Sequence, residues 1–274
     1  MSDTDKAFSG SIPALYESHL VPLIFQPYAN DLATRLKPRA PKRLLEVAAG
    51  TGVLTRALAH ALDENTAIVA TDLNQAMLDH ARAVGAKPNV EWRQADAMQL
   101  PFGDGAFDAV VCQFGAMFFP DRAHAYAEAR RVLRPGGLFA FSVWDRIEEN
   151  EFCEVVTTAL ESIFPDDPPR FLARTPHGYH DRALIERDLR AGGFVEAVQI
   201  ETIAARSRAE SPSIPAIAYC QGTPLRNEIE ARNPTRLAEA TDIVAAAIAK
   251  RFGTGAVDGK IQAHVVTVCK DRGT

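Results

Sequence analysis

Apolar positions along this chain change their period several times, and each change marks an element. The short run Leu44 to Ala48, apolar except at Glu46, predicts a buried strand. It breaks into a small-residue turn through Gly50 and Gly52, after which Val53, Leu54, Ala57, Leu58, Ala61 and Leu62 follow helical spacing. Ala67 to Asp72 is a second strand, Asn74 an N-cap, and Met77, Leu78 and Ala81 the inner face of a helix that stops near Gly85. Val90 to Ala95 forms a third strand ending at Asp96, and Phe107 to Gln113 a fourth. A helix runs from about Arg122 to Leu133 and is ended sharply by Pro135-Gly136-Gly137, and Leu138 to Trp144 is the fifth strand.

Ahead of this core, residues Met1 to Ser11 are expected to be a mobile tail. Ile12 to Leu36 read as helix, with Phe25, Tyr28, Ala29, Leu32 and Leu36 along one face. Pro22 and Pro27 are expected to break it into pieces, since proline suits a first helical turn and not an interior. Behind the core the pattern loosens. Helices are expected over Phe152 to Phe164 and Asp181 to Ala191, a strand over Phe194 to Ala204, an interrupted helical block over Ile214 to Phe252, and a last strand over Gln262 to Cys269.

Strands alternating with helices at this pace imply right-handed βαβ units and a parallel sheet covered on both faces, an α/β Rossmann-like doubly wound fold. The 274 residues are expected to form a single domain: a helical preface over 12–40 that packs on the core and covers its site as a lid, a cofactor-binding core over 44–145, and a C-terminal part over 146–274 whose helices at about 214–252 face the substrate. A formal net charge of −5 provides no general basic field for nucleic acid. Cys112, Cys153, Cys220 and Cys269 form no CxxC pair, which argues against a disulfide framework or a zinc site. The N-terminus carries no signal peptide and no apolar run approaches a membrane span, so a soluble, cytoplasmic protein is expected.

Ligands of an open parallel sheet bind outside the carboxyl ends of its strands. Ala48 to Gly52, Asp72, Asp96 and Gln113 fall at those ends. Asp72 lies about twenty residues after Gly52, the distance at which a carboxylate accepts both ribose hydroxyls. Asp96 is placed to accept from an adenine amino group, with Ala97 or Met98 supplying an N–H to the ring and Leu73 and Met77 sandwiching it. A dinucleotide fingerprint requires a small residue where Thr55 stands, and Glu46 before the turn would repel a pyrophosphate. A carboxylate there suits a positively charged group, such as the amino group of an amino-acid moiety.

Leu45-Glu46-Val47-Ala48-Ala49-Gly50-Thr51-Gly52 resembles motif I of the class I S-adenosylmethionine-dependent methyltransferases. Thr71 to Leu78 resembles their second motif, Ala95 to Phe102 their third, and Phe107 to Val111 with Arg131 to Gly137 their fourth strand and Pro-Gly-Gly turn. The flavour is that of the ubiquinone and menaquinone biosynthesis branch, and Ala48 stands where the family has its first glycine. The resemblance implies seven strands in the order 3-2-1-4-5-7-6 with the last antiparallel, S-adenosylmethionine as cofactor, S-adenosylhomocysteine as product, and Glu46, Asp72 and Asp96 in the roles above.

A sulfonium methyl is already activated, so such a protein aligns an in-line displacement and excludes water, and needs a base only where the acceptor must lose a proton. Tyr16, His19, Tyr28, Phe114, Met117 and Trp144 are the candidates to line an acceptor site. The Pro-His-Gly-Tyr-His-Asp stretch adds His177, Tyr179 and His180, with His180 the candidate base ahead of the N-cap Asp181. His177 and His180 lack an acidic or thiolate set beside them, so no metal is expected. The expected partner is a small-molecule acceptor rather than nucleic acid, on a monomer or homodimer. The alternatives are a non-catalytic binder or regulator that keeps the cofactor pocket and, disfavoured by Thr55 and Glu46, a nicotinamide-dependent oxidoreductase.

Overall fold

A computed structural model describes Asp5, Phe8 and residues 10–272. Strands β1 (Arg43–Val47), β2 (Ala67–Asp72), β3 (Val90–Gln94), β4 (Phe107–Gln113), β5 (Leu133–Trp144), β6 (Gln199–Ala209) and β7 (Val257–Cys269) form one sheet in the order β3-β2-β1-β4-β5-β7-β6. The first five strands pair in parallel, and β7 runs antiparallel to both β5 and β6. The strand order reverses between β1 and β4, so a crevice forms beyond their carboxyl ends. Both strands are almost wholly buried, as near-continuous apolar runs in a sheet covered on both faces should be. Among the described residues no helix is long and apolar enough to cross a membrane.

The preface departs from expectation. From Ile12 to Leu36 the chain stays helical: α1 (Ile12–Leu15), a π-helical stretch Tyr16–Phe25, then α2 (Gln26–Leu36). Pro22 lies inside the π-helical stretch, whose wider turn makes room for a ring that would collide with the carbonyl four residues back in an α-helix. The Gln26 N–H accordingly reaches back to the Val21 carbonyl, and Pro27 sits in the first turn of α2, where its missing N–H costs nothing. The expected mobile tail is also corrected at two positions. Asp5 is buried, its carboxylate accepting from Arg174 (2.6 Å) and Thr175 (3.2 Å), and Phe8 packs edge-on against Tyr16 and Phe118. Residues 1–4, 6, 7 and 9 of that expectation lie outside the described residues.

The Pro-Gly-Gly segment does not follow a helix end directly. Helix α5 (Arg122–Val132) gives way to β5 at Leu133, and the register jumps from Phe107↔Leu133 to Ala109↔Leu138. Pro135, Gly136 and Gly137 are thus a bulge inside the strand, pinned by Gly136 N–H to the Lys270 carbonyl and Lys270 N–H to the Gly137 carbonyl, each at 2.9 Å. The edge strand β6 begins at Gln199 instead of Phe194, because most of its side chains are exposed and no apolar run marks it. Between β6 and β7 lie α9 (Ser213–Gln221), α10 (Leu225–Arg232) and α11 (Leu237–Phe252), the expected inserted block.

A Cβ at Gly137 would stand 2.9 Å from the Arg134 carbonyl oxygen and 3.1 Å from that of Asp108. Gly137→Ala is therefore expected to cost about 1–3 kcal/mol in urea denaturation. Gly103→Ala, with open space around the added carbon, should fall within about 0.5 kcal/mol of the parent.

Candidate functional site

The turn after β1 is built from left-handed backbone: φ is 56° at Ala48, 57° at Gly50 and 85° at Gly52. Glycine tolerates such angles without strain, whereas Ala48 does not. Gly52 is glycine for a further reason, since a Cβ there would lie 2.5 Å from the Trp92 ring, so the close approach it permits is to Trp92. The Asp72 carboxylate, 7% exposed, accepts from Gly50 N–H through Oδ2 and from Asn74 N–H through Oδ1, both at 2.8 Å. Burial pushes its carboxyl above the usual range, and those N–H groups pull it back. Asn74 holds the N-cap position of α4 (Gln75–Val84), but its side chain turns to Asp72 rather than to the helix.

A cavity of about 860 Å³ opens beside this turn. Of the predicted cofactor residues, Ala48, Gly50, Asp72, Leu73, Met77, Asp96, Ala97 and Gln113 line it. Leu73, lining this cavity, is 46% exposed. Asp96 Oδ1 accepts from the Met98 N–H at 2.8 Å, so that donor is already engaged. Gln113 donates to the Phe25 carbonyl at 3.0 Å, while its buried Oε1 has no hydrogen-bond partner among the described residues.

Glu46, Gly52 and Met98 are not in the lining. Glu46 is 1% exposed and accepts from the Thr55 hydroxyl at 2.6 Å, where Thr55 belongs to α3 (Val53–Ala61). Desolvation raises its carboxyl to about 8, against the Thr55 hydrogen bond and the Arg56 charge, which pull downward.

A second cavity, about 570 Å³, adjoins the first and shares Phe8, Tyr16, Phe114 and Phe118 with it. Phe114, at φ 53°, stacks on Trp144 with ring centroids 3.8 Å apart, and Tyr16 stacks on Phe25 at 4.9 Å. The predicted acceptor-lining residues divide evenly: Tyr16, Phe114 and Trp144 line this space, whereas His19, Tyr28 and Met117 line neither cavity. Tyr28 is fully buried, its hydroxyl spent on the Ile203 carbonyl and its ring edge-on to Phe114 and Trp144. Met117 is a core residue, and His19 hydrogen-bonds Ser18 on the half-exposed side of the preface.

His180 also lines neither cavity. Its Nδ1 is bonded to the His177 carbonyl at 2.8 Å, one turn before α8 (Arg182–Ala191), which Asp181 caps as expected. The histidine on the second cavity is His177, 4% exposed. Its Nδ1 bonds the Asp145 carbonyl at 2.8 Å, and burial lowers its basicity to about 4. Tyr179 packs against Tyr126, outside both cavities. Unforeseen in the sequence were Phe8, Phe118 and Phe171 on the walls, and Tyr219, although the inserted block that carries Tyr219 was expected to face the substrate.

Because Glu46 binds its proton more tightly folded than unfolded, it withdraws stability as pH rises from its ordinary value near 4.5 to about 8. Glu46→Gln should flatten that decline and be the more stable form at pH 8, with the difference closing toward pH 5. Urea midpoints across that range check it, and parallel curves for the two proteins would refute the assignment.

Residues 45–141 match the family described as a methyltransferase domain. Similar curated proteins include the ubiquinone/menaquinone biosynthesis C-methyltransferase UbiE of Pseudomonas fluorescens, 41% identical over 103 residues, which cover 36% of this chain and 40% of that one. The UbiE of Saccharophagus degradans is 30% identical over 172 residues, 58% of this chain and 69% of that one. Among solved structures, the Haemonchus contortus enzyme titled phospholethanolamine N-methyltransferase 2, in complex with phosphomonomethylethanolamine and S-adenosylhomocysteine, superposes with a TM-score of 0.58 at 18% identity, covering 94% of this chain and 57% of that one. The sheet order, the glycine turn with its carboxylates, and the extent of the Saccharophagus match agree: the chain belongs to the class I S-adenosylmethionine-dependent methyltransferases.

Proposed function

We propose that this chain transfers a methyl group from S-adenosylmethionine to an uncharged, largely apolar small molecule. S-adenosylmethionine bound in the first cavity supplies the activated methyl for an in-line displacement and leaves as S-adenosylhomocysteine. In this reading Asp72 accepts from the ribose hydroxyls and Asp96 from the adenine amino group. With Met98 N–H held by Asp96, the ring nitrogen falls to Ala97 N–H, and Leu73 and Met77 flank the ring. Glu46 stays with Thr55, which leaves the partnerless Gln113 Oε1 as the buried acceptor for the cofactor's amino group.

One observation carries the acceptor part. The second cavity meets the first across a shared aromatic partition, and its lining includes no Asp, Glu, Lys or Arg. A carboxylate or phosphate there would be desolvated without a counter-charge, at a cost of several kcal/mol. Phe8, Tyr16, Phe114 and Phe118 face the transfer with aromatic rings, which would keep water from the reacting methyl.

Calorimetry should register S-adenosylmethionine binding that Asp72→Ala weakens by about a hundredfold or more, two charge-assisted hydrogen bonds being lost. S-adenosylhomocysteine release should then appear with neutral aromatic or lipid-like acceptors and stay at background with their carboxylated analogues. Preference for the carboxylated analogues would overturn the acceptor assignment.

A further inference from the structure

Accounting for every polar group on the second cavity narrows what its occupant must present. Asn150 is fully engaged: its amide donates to the Asp145, Arg146 and Gln262 carbonyls, and its Oδ1 accepts from Gln262 N–H. Thr223 donates to the Tyr219 carbonyl at 2.7 Å and accepts from Leu225 N–H at 3.1 Å. Cys153 is a buried thiol raised to about 12, present as S–H. On the part of the wall away from the aromatic partition, and apart from Trp144, whose ring stacks on Phe114, two groups remain.

The first is His177. A carbonyl oxygen only accepts, so the bond to Asp145 requires the proton on Nδ1 and leaves Nε2 as a bare lone pair. The charges around it are Asp145 and Glu148 where the chain leaves β5, His180 on its own loop, and His264 on β7, which contacts Asp145 at 3.3 Å. Burial outweighs them and keeps the ring neutral. The second group is the Tyr219 hydroxyl on α9, buried with no oxygen or nitrogen partner among the described residues and with only the thiol of Cys153, a weak acceptor, beside it. A buried hydroxyl so weakly paired is a donor that a ligand oxygen would satisfy.

We infer that His177 and Tyr219 select the acceptor: the second cavity takes a neutral apolar molecule carrying one hydroxyl, whose O–H donates to His177 Nε2 and whose oxygen accepts from Tyr219. This rests on the methyltransferase reading only in calling the occupant the methyl acceptor. The binding itself follows from the cavity. Both side chains act as positioning residues, since neither stands on the partition shared with the first cavity.

The test uses the full chain saturated with S-adenosylhomocysteine and two probes of one shape, naphthol and naphthalene, titrated by calorimetry. The parent should bind naphthol about tenfold more tightly than naphthalene, as one good hydrogen bond allows. His177→Asn places an amide where Nδ1 was, preserving the bond to Asp145 while deleting Nε2. It should bring the naphthol-to-naphthalene ratio near one and leave affinity for S-adenosylhomocysteine unchanged. Tyr219→Phe gives up only the weak contact with the Cys153 sulfur, so it folds about as well as the parent, and it should lower the same ratio severalfold. Should His177→Asn fail to fold, Tyr219→Phe alone decides. A parent that binds both probes equally, or variants that keep the parent's ratio, would overturn the inference. Failure of S-adenosylhomocysteine to bind would instead count against the methyltransferase reading.

Discussion

One buried carboxylate sets the geometry from which the rest of the site follows. Asp72 stands at the tip of β2 and reaches across to the turn after β1, taking the Gly50 N–H, while its other oxygen takes the Asn74 N–H at the start of α4. Two further bonds tie the same strand tips: Ala49 N–H to the Thr71 carbonyl, and the Thr71 hydroxyl to the Glu46 carbonyl, both at 2.8 Å. The turn therefore cannot move independently of β2, which fixes the left-handed angles at Ala48, Gly50 and Gly52. A carboxylate has about four lone-pair sites, and the Gly50 and Asn74 N–H groups with the more distant Asn74 amide leave it part of that capacity. The residue that would recognise ribose is also the residue that shapes the turn, and its rigidity is present before any ligand arrives.

The preface is joined to that same turn. Arg56 donates to the Thr51 carbonyl at 2.7 Å and pairs with Glu17 of the π-helical stretch at 2.5 Å. Gln113 holds the other end of the stretch through the Phe25 carbonyl. The π-helical stretch, which lends Tyr16 to both cavities, is thus tied through α3 to the turn after β1 and directly to the tip of β4, where the strand order reverses. Pro22 within that helix forgoes an intrahelical bond, and π-helical turns project side chains differently from α-helical ones. Tyr16 and Phe25 reach the cavities from opposite ends of it and stack on one another.

The strands and carboxylates were legible in the sequence because they obey local rules. Phe107–Gln113 and Ala67–Asp72 are apolar runs ended by polar residues, and both strands have those bounds in the structure. What the sequence concealed depends on contacts between distant segments. Pro135-Gly136-Gly137 reads as a helix stop until Lys270, more than a hundred residues away, is seen to pair with it. His177 and His180 are three residues apart and chemically alike. Only the Asp145 carbonyl, which captures the ring of His177, and the His177 carbonyl, which captures that of His180, separate them. Tyr28 reads as a site aromatic but lines neither cavity; its ring instead packs edge-on against the Phe114–Trp144 stack.

The same distinction decides how much can be carried over from relatives. The family match spans residues 45–141, and the residues lining the first cavity fall inside it apart from Phe8 and Tyr16. Most of the second cavity lies outside it: Leu20 and Ile24 come from the preface, Phe171 and His177 from the segment after β5, Tyr219 from the inserted block and Ile261 from β7. Phe114, Phe118 and Phe8 with Tyr16 form the boundary between a cavity set within the matched core and one set mostly outside it. A match to the core therefore bears on the first cavity, while the walls of the second depend on the π-helical preface and the inserted helices. Those walls are apolar, without Asp, Glu, Lys or Arg among the lining residues, and set His177 and Tyr219 away from the partition.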